Sequence, residues 1–195
     1  SYANGTARNQ VNTTISTDLQ NRVTRALKRQ NAKTFTSVIR STPSYGTVNV
    51  APSFVGLAHT DCEAAIRAMT GFKPVEDYGN YGAAYEGEIG KVNDVRYILS
   101  TVFTSWADGG GAKGTMYSTT GTSADVYPVI YLSRDAFGVI PFKGENAVAP
   151  MVLNPGVPRG GDPLGQRGSV GWKASHAAVI LNDAWMHRLE IAIPA

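Results

Sequence analysis

"SFVGLAHTDCEAAIRAMTG", residues 53 to 71, holds in one short run the signals that decide the fold class. Its first seven residues enclose the apolar run Phe54–Ala58 between Ser53 and His59, which predicts a buried strand over 53–59. Thr60-Asp61-Cys62-Glu63 then has the spacing of a capping box, with Thr60 accepting from the amide near Glu63 and Glu63 reaching back. Cys62, Ala65, Ile66 and Met69 form an apolar stripe, and Gly71 is placed to end the helix in a left-handed conformation. Strand, helix and glycine stop make one compact unit.

Outward from this unit, the pattern is mostly strand. "EIGKVNDVRYILS" (88–100) alternates around Asn93-Asp94 and predicts a hairpin. "VYPVIYLS" (126–133) predicts a buried strand, "RDAFG" (134–138) a single helical turn, and "VIPFKG" (139–144) an extended piece. Between the first two lies a Gly-rich stretch, 107–125, too long for an efficient turn and expected as a mobile surface excursion. After a Pro- and Gly-rich loop at 150–171, "WKASHAAVIL" and "AWMHRLEIAI" flank Asn182-Asp183 as a second hairpin, with Trp172 as a core anchor. Toward the N-terminus, residues 34–50 suggest short extended pieces around "TPSYG". Ile15, Leu19, Val23 and Leu27 recur at i+4 behind Ser16 and Thr17, predicting an amphipathic helix over 16–30. Residues 1–14 are polar and aperiodic and are expected as a flexible arm. Strands outnumber helices and join through long loops, so the fold class is α+β rather than a doubly wound sheet.

The chain has 195 residues, enough for one domain with a real core, and its 43% hydrophobic content excludes a mainly disordered polymer. No stretch approaches the length of apolar sequence that spans a bilayer, so a soluble chain with no membrane partner is expected. The lone Cys62 excludes an internal disulfide and points to a reducing compartment or to a protein that needs no covalent staple. Charge is asymmetric. Up to residue 40, Arg8, Arg22, Arg25, Lys28, Arg29, Lys33 and Arg40 face Asp18 alone, whereas the remainder is net acidic. Such a basic end suits a polyanion or a complementary surface on another copy, and equally a solvated helix face.

Candidate chemistry is sparse. His59, Asp61, Cys62 and Glu63 gather at a helix start, where a thiolate could act as nucleophile with a base from His176 or His187. The same residues also read simply as caps and a small buried hydrophobe. The three histidines are far apart, with no metal-binding spacing, and His176 on an apolar strand reads as a core histidine. "DGGGAKGT" (108–115) lacks the spacing of a phosphate-binding loop. Arg22, Arg25 and Arg29 share a helix face and could contact nucleic acid phosphates independently of sequence.

Three stretches, "FVGLAHTDCEAAIRAMTGFKPVEDYG", "YEGEIGKVNDVRYILS" and "GGDPLGQRGSVGWKASHAAVILNDAWMHRLE", together with the linking "YPVIYLSRDAFGVIPFKG", resemble the major capsid proteins of tailed phages, of the phage N-four coat protein family. The resemblance covers residues 53 to 191. Thr60 stands where that family has proline, which bears on how the helix starts. Little precedes the helix at 16–30, so the family's extended N-terminal region is expected to be absent here.

The resemblance implies a Hong Kong 97-type phage coat fold. Residues 1–52 would supply an N-terminal arm and the helix of a peripheral domain. Residues 53–145 would form an axial domain, a central sheet with flanking helices, and residues 146–195 would close back between the two. It implies a major capsid protein that assembles into the icosahedral shell around a phage genome, not an enzyme, with no cofactor. Its partners would be other copies in hexamers and pentamers, scaffolding, portal or decoration proteins, and packaged DNA bound non-specifically. Its place would be the virion, after assembly in the bacterial cytoplasm. A Gly-hinged, charged loop suits contacts that must vary from site to site, so Arg159, Asp162, Pro163, Leu164, Gln166, Arg167 and Lys173 are candidate intersubunit contacts. An Asp162–Arg167 pair holding the loop within its own subunit is the competing reading. Arg22, Arg25, Lys28 and Arg29 are candidate genome-facing or neighbour-facing residues. The alternatives are a Cys62-centred enzyme and a nucleic-acid-binding module led by the basic helix.

Overall fold

The computed structural model describes residues 1–35, 40–41, 47–48, 51–78, 83, 85–141, 149–158, 160–173 and 176–195. It is α+β and mostly sheet. The chain divides into two compact units, one of Ser1–Ala136 with Asn182–Ala195 and one of Phe137–Leu181. The N-terminal helix packs into the same core as the strands that follow it.

Unit 1 is built on a six-stranded sheet. Its strands are β3 (Phe54–Ala58), β4 (Phe72–Pro74), β5 (Glu88–Val92), β6 (Val95–Leu99), β7 (Val126–Leu132) and β12 (Met186–Ala192), in the order β12-β7-β3-β6-β5-β4. β3 runs parallel to β6 and antiparallel to β7, and the other pairs are antiparallel. The hairpin at 88–100 forms as expected, with Asn93 in the left-handed region at φ 49°. Two short strands, β1 (Arg40–Ser41) and β2 (Thr47–Val48), pair antiparallel.

Helix α1 (Thr17–Arg29) begins where the periodicity begins: the Ser16 hydroxyl accepts from the Leu19 amide at 3.3 Å, and Asp18 sits in the first turn. Leu19, Val23 and Leu27 are buried against the sheet, as is Gln20. That glutamine donates Nε2 to the Val92 carbonyl at 2.8 Å and accepts from the Tyr97 hydroxyl at 2.8 Å, and Tyr97 meets the Tyr131 hydroxyl at 3.0 Å. Gly56 pairs with Tyr97 on one side and Tyr131 on the other. A Cβ there would lie 2.9 Å from the Tyr97 ring, so only glycine lets the two phenols close over β3.

The stretch after β3 is shorter than its pattern suggests. Residues Thr60–Cys62 form a 3-10 turn and α2 spans only Glu63–Arg67. The capping box does not form. Instead His59 Nδ1 accepts from the Asp61 amide at 3.1 Å, and Glu63 pairs with Arg67 at 2.8 Å along the helix. The apolar stripe is buried as expected, but Gly71 does not end the helix: α2 stops at Arg67 with Ala68 as its cap, and Gly71, at φ +84°, lies in the turn that leads into β4.

Three further expectations are corrected. Residues 1–14 are packed rather than loose: Val11 is fully buried, Ala3 donates its amide to the Glu190 carbonyl at 2.8 Å, and Arg8 pairs with Glu190. The Gly-rich stretch 107–125 lies mostly at the surface, as expected, but its two ends are tied to the core rather than loose. Gly110 and Ala124 are hydrogen-bonded to each other, the Gly111 amide reaches the Val11 carbonyl, and Asp125 accepts from the amides of Asp108 and Thr119. "RDAFG" is a tight turn with Asp135 at φ 62°, not a helical one, because the chain must pass directly from β7 into the next strand.

No helix among the described residues is long and apolar enough to cross a membrane.

Candidate assembly surface

Unit 2 contains four strands, β8 (Phe137–Pro141), β9 (Ala149–Leu153), β10 (Ser169–Lys173) and β11 (His176–Ile180). β8 pairs with β11 and β9 with β10, both antiparallel. The two ladders are nested in the chain, so their order is that of a β-hairpin, with the described residues 154–158 and 160–168 between β9 and β10 as its tip. The second hairpin expected about Asn182-Asp183 therefore does not exist. β11 pairs with β8, whereas β12 joins β7 in the main sheet. The Pro- and Gly-rich loop expected at 150–171 likewise contains β9 and the start of β10.

Side-chain alternation sorts the β9–β10 ladder into two faces. Val152 opposes Val170 and Pro150 opposes Trp172 on one, while Met151 and Leu153 lie on the other with Gly171, Ser169 and Lys173. Both faces are open: Val170 is 79% exposed, Trp172 73%, Val152 61% and Met151 60%. Trp172 is thus no core anchor. On the β8–β11 ladder, Phe137, Val139 and Ile180 mark one face and Ile140 and Val179 the other, all exposed. Apart from Val102 and Tyr117, every exposed large hydrophobic side chain among the described residues belongs to this hairpin.

The tip is a folded loop. Asp162 carries it: its Oδ2 accepts from the Arg167 amide at 2.6 Å and its carbonyl from the Gly165 amide at 3.1 Å. Gly165 at φ +63° returns a bond to the Gly156 amide at 2.7 Å, and a Cβ on it would press 3.1 Å from the Val157 backbone. Asp162 is thus spent on its own loop through the Arg167 backbone, and the guanidinium of Arg167 forms no ion pair among the described residues. Pro163, Leu164, Gln166 and Arg167 are exposed at the tip, Leu164 at 77%. Lys173 is exposed at the other end of β10, opposite Ala149. Arg159 lies outside the described residues.

The basic residues of α1 stand on its outer side. Arg22, Arg25, Lys28 and Arg29 are all exposed. Lys28 pairs with Asp94 at 2.5 Å, leaving the three arginines with no ion pair among the described residues.

Cys62 is fully buried, and burial first, then the neighbouring Asp61 charge, pushes its thiol up to about 12. A thiol in that state is not a ready nucleophile at neutral pH. His59 faces Asp61 at 3.1 Å, and His187 Nε2 meets the Ser1 hydroxyl at 2.8 Å. No group of acidic, histidine or cysteine side chains among the described residues could hold a metal ion.

Sequence reasoning singled out the tip but missed the apolar ladders behind it. Their signal is present as alternation in "APMVL" and "SVGWK", interrupted by proline and glycine. The chain matches no protein-family model and no curated protein.

Proposed function

We propose that the chain is a major capsid protein of the Hong Kong 97-type, a shell subunit whose copies associate through the hairpin of unit 2. One observation carries this reading: the hairpin exposes apolar side chains on both of its faces. An isolated two-stranded ribbon is at best marginally stable in water, so this one needs a covering. Its exposed apolar side chains amount to on the order of 1,000 Å², more than the largest patch of a typical monomer and near the roughly 800 Å² each partner gives to a standard interface. A single partner seated on one face would leave the other wet. A closed shell of identical subunits offers each hairpin more than one neighbour, and the sequence resemblance to phage coat proteins independently supports that arrangement. The outward arginines of α1 suit non-specific contact with packaged DNA.

The test is sedimentation and negative-stain microscopy of the chain expressed from its complete reading frame. Closed particles tens of nanometres across are expected. The variant V152T/V170T/W172T, altered on one exposed face, should lose particles at least tenfold while unit 1 keeps its unfolding midpoint. Arg167→Ala should lower particle yield without lowering the yield of folded subunit. A wild-type protein that stays a monomer at every concentration, or a triple variant that assembles as well as wild type, overturns the proposal.

A further inference from the structure

Three cations stand side by side on the sheet. Lys73 on β4 pairs directly with Lys91 on β5, and Lys91 pairs directly with Arg96 on β6. Paired residues point to the same face, so a lysine, a lysine and an arginine form one row across three neighbouring strands. Like charges in direct register repel, and a sheet does not gain from such an alignment by itself.

The ring of Tyr78 stands at the row, 5.4 Å from Lys91 Nζ and 5.1 Å from the Arg96 guanidinium. Arg96 is 1% exposed. Its Nη1 donates to Glu88 Oε1 at 2.7 Å, an oxygen that also accepts from the Tyr78 hydroxyl at 2.8 Å. The Nε of Arg96 is buried and has no hydrogen-bond partner among the described residues. Neither lysine takes part in an ion pair among them. Arg96, both lysines and Tyr78 line a cleft of about 250 Å³, together with Ala51 and the exposed carboxylate of Asp77. Against three cations, Glu88 and Asp77 leave the cleft net positive.

We propose that this cleft is a binding site for a phosphate group, with Lys91 and Lys73 as its donors and the buried Arg96 guanidinium as the third positive charge behind them. An anionic acceptor relieves the repulsion along the row and makes the stronger bond to each ammonium. The three cations come from strands spaced about 4.8 Å apart, so the charge is spread across the cleft rather than focused on one point. A tetrahedral oxyanion has acceptors on all sides and meets them better than a planar carboxylate. The cleft has room for that group. It lies wholly within unit 1 and needs no second copy, so it stands or falls apart from shell assembly.

Inorganic phosphate is the first probe, added to the full chain at constant ionic strength against chloride. The unfolding midpoint should rise with phosphate concentration, as mass action requires of a ligand held by the folded state. In K73Q/K91Q the rise should vanish and the affinity measured by calorimetry should fall at least tenfold. In chloride alone the same variant should unfold at the wild-type temperature or higher, since a repulsion has been removed. A short DNA duplex is the second probe. If the variant also binds it at least tenfold more weakly, the site takes a backbone phosphodiester. If duplex binding is unchanged while phosphate binding is lost, the site takes the free ion. A wild-type protein that phosphate stabilises no more than chloride, or a variant that keeps the full rise, overturns the proposal.

Discussion

Glu190 shows how much a single side chain holds. It is 1% exposed on β12, and Arg8 grips it with Nε at 2.6 Å and Nη2 at 3.0 Å while Arg188 adds Nε at 3.1 Å. The Arg8 guanidinium in turn lies 3.8 Å from the centre of the Trp106 ring. The hydrogen bonds from Arg8 above all hold the Glu190 carboxyl below its ordinary value of 4.5. A carboxyl lowered on folding contributes stability that is fully present above that ordinary value and is lost as pH falls through the folded one. Glu190→Gln should therefore flatten the fall in stability below pH 4.5 and cost about 2–4 kcal/mol at neutral pH, the lower end because Arg8 remains in reach of water. Denaturant unfolding at pH 7 and pH 3.5 checks both; a variant as acid-sensitive as wild type would assign the acid limb to other carboxylates. The pairing is illegible in sequence, since Arg8 and Glu190 are 182 residues apart.

Helix α1 is the most legible element, because its stripe and its Ser16 cap are local facts. Its buried polar member is not: nothing in the periodicity distinguishes Gln20, which serves Tyr97 and Val92, from a solvent-facing glutamine. The outer arginines stand in solvent, and exposed charges contribute little to stability. Replacing Arg22, Arg25 and Arg29 together with glutamine should move the unfolding free energy by less than about 0.5 kcal/mol. If these residues meet DNA phosphates, the slope of log affinity against log salt should shrink by about 0.9 for each phosphate no longer neutralised. Binding of a duplex with the wild-type slope would remove them from any genome-facing role. The hairpin ladders teach the reverse lesson. "WKASHAAVIL" and "AWMHRLEIAI" are both recognisable as strands, yet adjacency in the chain does not make them partners, and pairing is settled by which distant strand offers the better register.

At the scale of the whole molecule, the two units differ in how they bury surface. Unit 1 collects its strands and helices around one apolar cluster. In unit 2, Gly165 at the tip is buried, while the ladders on either side of it present their apolar residues outward. Local stability should follow that division. Hydrogen exchange on the monomeric chain should show the amides of β9 and β10 exchanging orders of magnitude faster than those of β3 and β7, and the proposed assembly predicts that they become protected in any particles formed. Equal protection of both sets in the monomer would mean that the hairpin is stable uncovered.

By itself the sequence determined the local and periodic features: the span of α1, the turn at Asn93, the strands over 54–58 and 126–132, and the α+β class. These depend on residues within a few positions of one another. Tertiary structure alone decided the rest. It packed residues 1–14, expected as a loose arm, and tied the ends of 107–125 to the core, through partners more than a hundred residues distant for Arg8 and Ala3 and about that far for Gly111. It turned Trp172 outward, and it placed Lys73, Lys91 and Arg96 in one row. Which segments meet is set by competition among all the strands and faces for burial, and that competition is not written in any one stretch.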